Sequence, residues 1–296
     1  MNTAFSNFQK YWFTHTNSLK VEVYEKSNLS KCIRTITVSD WENCIADPAM
    51  SEDFQLYMQR PEWSIGRSIE NFVDFSSAQN NSTEMLTMIY DQLITGVVCL
   101  RAFQSTRDVN RGEAVAAKII EYLKSTDFYT APASTKYHES VTSGLLFHSL
   151  KVYNEAVLLQ KLPAFESCNV CKWALVALVH DWCKIGLYES YFRNVKNEIT
   201  GSWEKVNSFR VAETKCNNTL GHGTASMFMI SQFLHLAMDE ALAIRWHMGP
   251  WNVCQSEFND LQDSNEKYPL VHMLQFADQL AITRYESARY AQDTQR

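Results

Sequence analysis

The sequence predicts a mainly α-helical protein with a smaller α+β region at its N-terminus, and three observations lead there. From Glu113 onward, apolar residues recur at helical spacing with few interruptions. Near the start lie two short runs rich in β-branched and aromatic residues, Leu19 to Tyr24 and Cys32 to Val38. The polar stretch Gln104 to Gly112 separates the two regimes, which places a boundary between residues 1–106 and 107–296.

In the first region, Lys26, Ser27 and Asn28 suit the turn of a β-hairpin between the two runs. Met85 to Leu100 carries Met85, Ile89, Leu93 and Val97 at helical spacing and reads as a core helix. In the second region, Ala114 to Leu123 forms a helix, followed by a loop through Ala131, Pro132 and Ser134. Gly144 to Leu159 is the next helix. Its stripe of Leu145, His148, Val152 and Ala156 sets a histidine among core-facing positions. Trp173 to Lys184 is apolar nearly all round, so it reads as a central buried helix that Gly186 ends. Residues 187–220 read as a polar loop or excursion, and Thr224 to Leu236 resumes the helical pattern. Asp239 suits the cap of a helix running to Met248, where Gly249 and Pro250 stop it. Pro269 suits the first turn of a final long helix through Asp278 to about Tyr290.

Composition narrows the function. A chain of 296 residues, 46% hydrophobic, can bury a full core. Its net charge of −6 leaves neither region basic, so avid binding to duplex nucleic acid is not expected. The N-terminus, MNTAFSNFQKYWF, lacks the charged, apolar and small-residue segments of a secretion signal. The most apolar runs are also short for a bilayer, since Asp91 and Arg101 close off Leu93 to Leu100. A soluble, cytoplasmic protein is expected, with its eight cysteines reduced. Cys168 and Cys171 have CxxC spacing but no second pair, and read as structural.

Seven of the eight histidines fall between His138 and His272. More telling, His180 and Asp181 close the most apolar helix of the chain, where two adjacent polar groups are costly unless hydrogen bonds or a metal satisfy them. Imidazole nitrogen and carboxylate oxygen are also the ligand types of Zn, Mn, Fe and Mg sites. Taken alone, the pair fits either a satisfied core hydrogen bond or a metal site.

The flanking segments extend the pattern. GLLFHSLKV (Gly144 to Val152), LVHDWCKIG (Leu178 to Gly186), LGHGTAS (Leu220 to Ser226), IRWHMG (Ile244 to Gly249) and FADQL (Phe276 to Leu280) follow one another along the chain. In this order they resemble the HD superfamily of metal-dependent phosphohydrolases over about residues 113–285. The likeness is greatest to the bacterial branch that includes YhaM-type 3′-5′ exoribonucleases, whose Lys-aromatic-His element is matched by Lys136, Tyr137 and His138. The chain departs from that branch at Glu139, at Ser143 in place of a glycine, and in lacking a clear five-strand OB pattern over residues 1–106.

The resemblance implies an HD-domain helical bundle holding one or two divalent metal ions, with Mn, Fe, Mg, Zn, Ni and Co not distinguished. It makes His148, His180, Asp181 and Asp278 ligands of a first ion, and His222 and His247 ligands of a second, with Asp181 bridging. Metal-activated water would then attack the phosphoester of a nucleotide or short single-stranded oligonucleotide. Lys184 is expected to meet a substrate phosphate, with Lys136 and Arg245 as further cations, and His138 to contact substrate or donate a proton. A nucleotidase or cyclic-nucleotide phosphodiesterase suits the acidic composition too. A non-catalytic nucleotide sensor is the alternative of another class, and its mark would be a broken ligand set.

Overall fold

A computed structural model of the chain describes residues 10–17, 20–25, 27–37, 41–58, 73, 75, 82–106, 108–135, 139–197, 201–213 and 220–293. The protein is mainly helical, as the sequence predicts. Its residues group into two compact units. One draws on the first 71 residues with 92–116 and 169–171, and the other on 72–91, 117–168 and 172–296.

The first unit contains an antiparallel sheet in the order β1 (Tyr11–Asn17), β2 (Lys20–Glu25), β3 (Asn28–Thr37). The expected hairpin is β2–β3; Leu19, Lys26 and Val38 lie outside the described residues. Val21 and Ile36, paired across the strands, are fully buried with Val23, so one face of this sheet forms a small core. Two helices follow, α1 (Trp41–Cys44) and α2 (Pro48–Met58). The Asp47 carboxylate accepts the Ala49 N–H at the start of α2, and the Trp41 ring packs on Phe54 at 5.2 Å.

Helix α3 (Thr83–Thr106) outruns the expected Met85 to Leu100 at both ends, and α4 (Val109–Lys124) starts almost at once. The junction at Gln104 to Gly112 is therefore a break between helices. Gly112 makes the approach possible, because a Cβ there would stand 2.6 Å from Cys99 Cα. By length and composition α3 could cross a membrane, but 56% of its most apolar window is buried within the protein, which is the character of a core helix.

The second unit is a helical assembly. Helix α5 (Gly144–Leu159) packs along α10 (Pro269–Asp293), and α10 also packs on α8 (Met238–Arg245). In turn α8 packs on α7 (His222–Ser231), which meets the short 3-10 turn Trp182–Lys184. The central helix expected over Trp173 to Lys184 is shorter: α6 spans Val170–Val179, and the chain turns at His180 and Asp181 before the 3-10 turn. The Tyr90 hydroxyl lies at this break, donating to the Leu178 carbonyl (2.8 Å) and accepting from Trp182 Nε1–H (3.2 Å). A terminal carbonyl of α6 is thus satisfied without another helical turn.

Three further differences concern local chemistry. Residues 187–220, expected as loop, contain the antiparallel ribbon β4 (Tyr188–Lys196) and β5 (Trp203–Val211). Asp239 does not cap α8: it is bound by Lys172 Nζ at 2.7 Å, while Glu240 accepts the Ala237 N–H at 2.6 Å. Helix α9 (Phe258–Lys267) has no counterpart in the sequence-based reading. Pro269 opens α10 as expected.

Replacing Tyr90 by Phe removes the group that serves both Leu178 and Trp182. Urea unfolding of Tyr90→Phe followed by circular dichroism should show a loss of about 1–3 kcal/mol. Stability equal to wild type would mean that the break after α6 is held by other contacts.

Candidate metal centre

His148 owes its place to a tight backbone approach at the start of α5. A Cβ on Gly144 would lie 2.0 Å from the Glu139 carbonyl oxygen and 2.8 Å from the Ala133 nitrogen, so only glycine fits there. Ser143, just before it, adopts φ +64°, a left-handed conformation that costs a serine about 1 kcal/mol or more. Its hydroxyl is hydrogen-bonded to Thr83 Oγ1 at 2.9 Å. One turn into α5, His148 then enters the core at 1% exposure.

His180 and His247 share one local design. Each follows a helix end, α6 and α8, and each presents Nδ1 to the carbonyl three residues back: Ala177 at 2.9 Å and Ile244 at 2.7 Å. A carbonyl only accepts, so Nδ1 carries the proton and the Nε2 lone pair is left for the interior. His247 Nε2 is buried and lies 3.6 Å from Asp181 Oδ1, beyond hydrogen-bond range. Gly223 brings the second pair together. A Cβ there would meet the Arg245 carbonyl at 2.3 Å and the Ile244 carbonyl at 2.5 Å, so the start of α7 can rest on the end of α8. The His222 and His247 rings consequently stand 5.2 Å apart.

Asp181 lies at the centre of these groups. Its Oδ1 accepts from His222 Nε2 at 2.7 Å, and its Oδ2 accepts from Lys184 Nζ at 2.7 Å. The Nε2 atoms of His148 and His180 are each 3.4 Å from Oδ2. His148 Nε2 is also 3.1 Å from Asp278 Oδ1 and 3.3 Å from His180 Nε2. Atoms sharing an ion at roughly 2.0–2.2 Å lie about 3.0–3.5 Å from one another, so these spacings fit coordination. Three overlapping sets of side chains offer ligand atoms within 4.8 Å of one another: His148, His180 and Asp278; His180, Asp181 and His247; Asp181, Cys183 and His222. These buried groups could hold a metal ion.

The electrostatics follow from burial and charge. Burial opposes ionisation of Asp181, but Lys184 and His180 outweigh it and hold the carboxyl well below its usual range. Burial likewise opposes ionisation of Asp278, which is overcome by the hydrogen bond and charge of His148 and the charges of His180 and His247. His180 is raised despite burial, through Asp181 and Asp278. His222 is raised against burial to about 10 by its bonds to Asp181 and Cys183. His247 moves the other way, lowered first by burial and then by the charges of His180 and His222. Lys184 keeps its proton, because Asp181 outweighs the cost of burial.

The six expected ligands therefore converge, with Lys184 at their edge. Lys184 is buried and bound to Asp181, so it faces the centre and not open solvent. Arg245 is held by neighbours of its own. Its guanidinium pairs with Glu257 and covers the Trp246 ring, beside a cavity of about 440 Å³ lined also by Leu220, Gly221, Trp251 and Val253. Lys136 and His138 lie outside the described residues. Two participants escaped the sequence. Cys183 Sγ lies 3.3 Å from His222 Nδ1, and Glu139 joins Lys151 while its second oxygen stands 3.8 Å from His148 Nδ1. The CxxC cysteines are free thiols, and burial pushes Cys168 up to about 11. His272 stacks on Phe276 and His235 is exposed, so neither joins the centre. No protein-family model, curated protein or solved structure matches the chain.

His222 supplies a pH signature. A histidine raised from 6.5 to about 10 stabilises the metal-free fold fully below pH 6.5, and that contribution disappears as pH rises through about 10. With chelator present, the melting temperature of wild type should exceed that of His222→Gln at pH 6.5 and converge with it near pH 10. Apparent metal affinity should run oppositely, rising with pH as His222 releases its proton. A melting difference that stays constant over this range would contradict the assignment.

Proposed function

We propose that the protein is a metal-dependent phosphohydrolase of the HD type, acting on a phosphoester in a nucleotide or short single-stranded oligonucleotide. The observation that carries this is the convergence of four imidazoles on one buried carboxylate, with the Nε2 atoms of His180 and His247 turned inward by their backbone bonds. An ordinary core hydrogen bond needs one partner for Asp181. Here His148, His180, His222 and His247 all stand within 3.6 Å of it, an arrangement that suits a shared cation.

In this proposal His148, His180, Asp181 and Asp278 hold one divalent ion, and Asp181, His222 and His247 a second. Such ions supply Lewis acidity toward a phosphoryl oxygen and lower the pKa of water. The protein's own groups do the rest. Lys184 adds a fixed positive charge beside Asp181, where negative charge grows on a phosphoryl group in the transition state. His222, with 24% of its side chain exposed, stands at the solvent side of a centre whose other ligands are buried, and a substrate meets it first. The Ala177 and Ile244 carbonyls fix how the His180 and His247 imidazoles point.

Purified protein supplied in turn with Mn, Fe, Mg, Zn, Ni or Co should bind one or two ions per chain and hydrolyse nucleotide phosphoesters. Asp181→Asn keeps the side-chain size but removes the central charge, and should lose both bound metal and turnover. Lys184→Ala should retain metal and lower kcat about a hundredfold. Asp181→Asn turning over at the wild-type rate would defeat the proposal, and tight nucleotide binding without hydrolysis by wild type would indicate a sensor.

A further inference from the structure

The β4–β5 ribbon is the strongest feature that the metal centre leaves unexplained. It leaves the centre directly: four residues beyond Lys184 the chain enters the ribbon at Tyr188, and the Ala212 N–H closes its base on the Leu187 carbonyl at 2.9 Å. Gly186, at φ +63°, makes that turn and is anchored by its N–H to Asp127 Oδ1 at 2.7 Å. A two-stranded ribbon is marginal by itself and normally buries one face. This one leaves Phe192 73% and Trp203 69% exposed.

Alternation assigns the two faces. Phe192, Lys196, Trp203 and Lys205 fall on one side, together with Tyr188 at the base, since Phe192 pairs with Asn207, Asn194 with Lys205 and Lys196 with Trp203. Both glutamates of the strands, Glu189 and Glu204, fall on the opposite side, and they are engaged there by Arg210 and Asn197. The first face therefore carries exposed aromatic rings between lysines and no carboxylate among the described residues. Such a surface matches a strand with stackable bases and a charged backbone. The protein's overall charge of −6 makes this local absence of acids more telling. Nine residues per strand give the face a length of about 30 Å, enough for several nucleotides.

We propose that this face of the β4–β5 ribbon binds single-stranded nucleic acid and leads its end to the metal centre, with Phe192 and Trp203 stacking on bases and Lys196 and Lys205 meeting phosphates. The assignment rests on the phosphohydrolase reading for its direction, but not for the binding itself. It makes the preferred substrate an oligonucleotide several residues long.

The test reads binding without catalysis: anisotropy of a fluorescein-labelled oligouridylate of twelve nucleotides with full-length protein in chelator. Wild type should bind, and Phe192→Ala/Trp203→Ala should weaken binding tenfold or more while wild-type metal uptake is retained. Trp203→Phe should retain most of the affinity that Trp203→Ala loses. Lys196→Ala/Lys205→Ala should flatten the slope of log affinity against log salt by about 1.4. Val206→Ala, on the opposite face, should change none of these. The proposal is overturned if wild type does not bind the oligonucleotide, or if the double aromatic variant binds as wild type does. It is equally overturned if the protein sediments as a dimer that Trp203→Ala dissociates without affecting oligonucleotide binding, since the face is then a contact between copies. Hydrolysis of nucleotides without oligonucleotide binding would sink the ribbon alone, whereas binding without any phosphoester hydrolysis would sink the enzyme and spare it.

Discussion

The second unit is organised around the cost of burying one carboxylate. Asp181 is 2% exposed, and an ion in that position is tolerated only when charge and hydrogen bonds replace its lost hydration. Lys184 provides a full charge on one oxygen and His222 a hydrogen bond on the other. These two partners would satisfy an aspartate whose role was structural. Further imidazoles nevertheless press on the same group, and burial, with the like charges of His180 and His222 after it, pushes His247 toward its neutral form. A neutral His247 keeps its Nε2 lone pair, the form in which an imidazole can ligate a metal ion.

The helices satisfy this centre by ending near it. A helix C-terminus leaves carbonyls without internal partners, and at α6 and α8 the following histidine takes one of them. The same bond completes the helix end, selects the ring tautomer and turns Nε2 inward. Two glycines make the geometry accessible from the other side, Gly144 at the start of α5 and Gly223 at the start of α7, each where a methyl group would strike backbone. The positions next to His148 and His222 are thus constrained by contact distances with the backbone.

Much of this was legible in the chain, and the reasons it was legible are local. Gly144 to Leu159 reads correctly because its apolar period, glycine start and buried histidine agree, and Pro269 marks α10 because proline suits a first turn. His180 and Asp181 stand out because charge after an apolar helix demands a partner. What was hidden depends on tertiary contacts. Cys183 carries no signal until His222 folds beside it, and Glu139 shows its relation to His148 and Lys151 only once the chain turns at Ser143. Asp239 has the right residue type for a cap but meets Lys172 first, so Glu240 takes the capping contact. Helix α9 was missed because its sequence, FNDLQDSNEK, offers Leu261 as its one buried large apolar residue.

The ribbon was missed for a different physical reason, one that bears on its character. Strands are recognised in sequence by an apolar face alternating with a polar one, and that alternation exists because one face is normally buried. In β4 and β5, Phe192, Tyr191, Trp203 and Val206 are spread over both faces, with lysine, arginine, glutamate and asparagine between them, so no period of two emerges. The pairing is held instead by the nine-residue antiparallel register and by cross-strand contacts such as Arg210 to Glu189. A fold whose stability requires burial does not select exposed tryptophan and phenylalanine at these positions. The same lack of a core face that hid the ribbon from sequence periodicity leaves its aromatic side chains available for contact outside the fold.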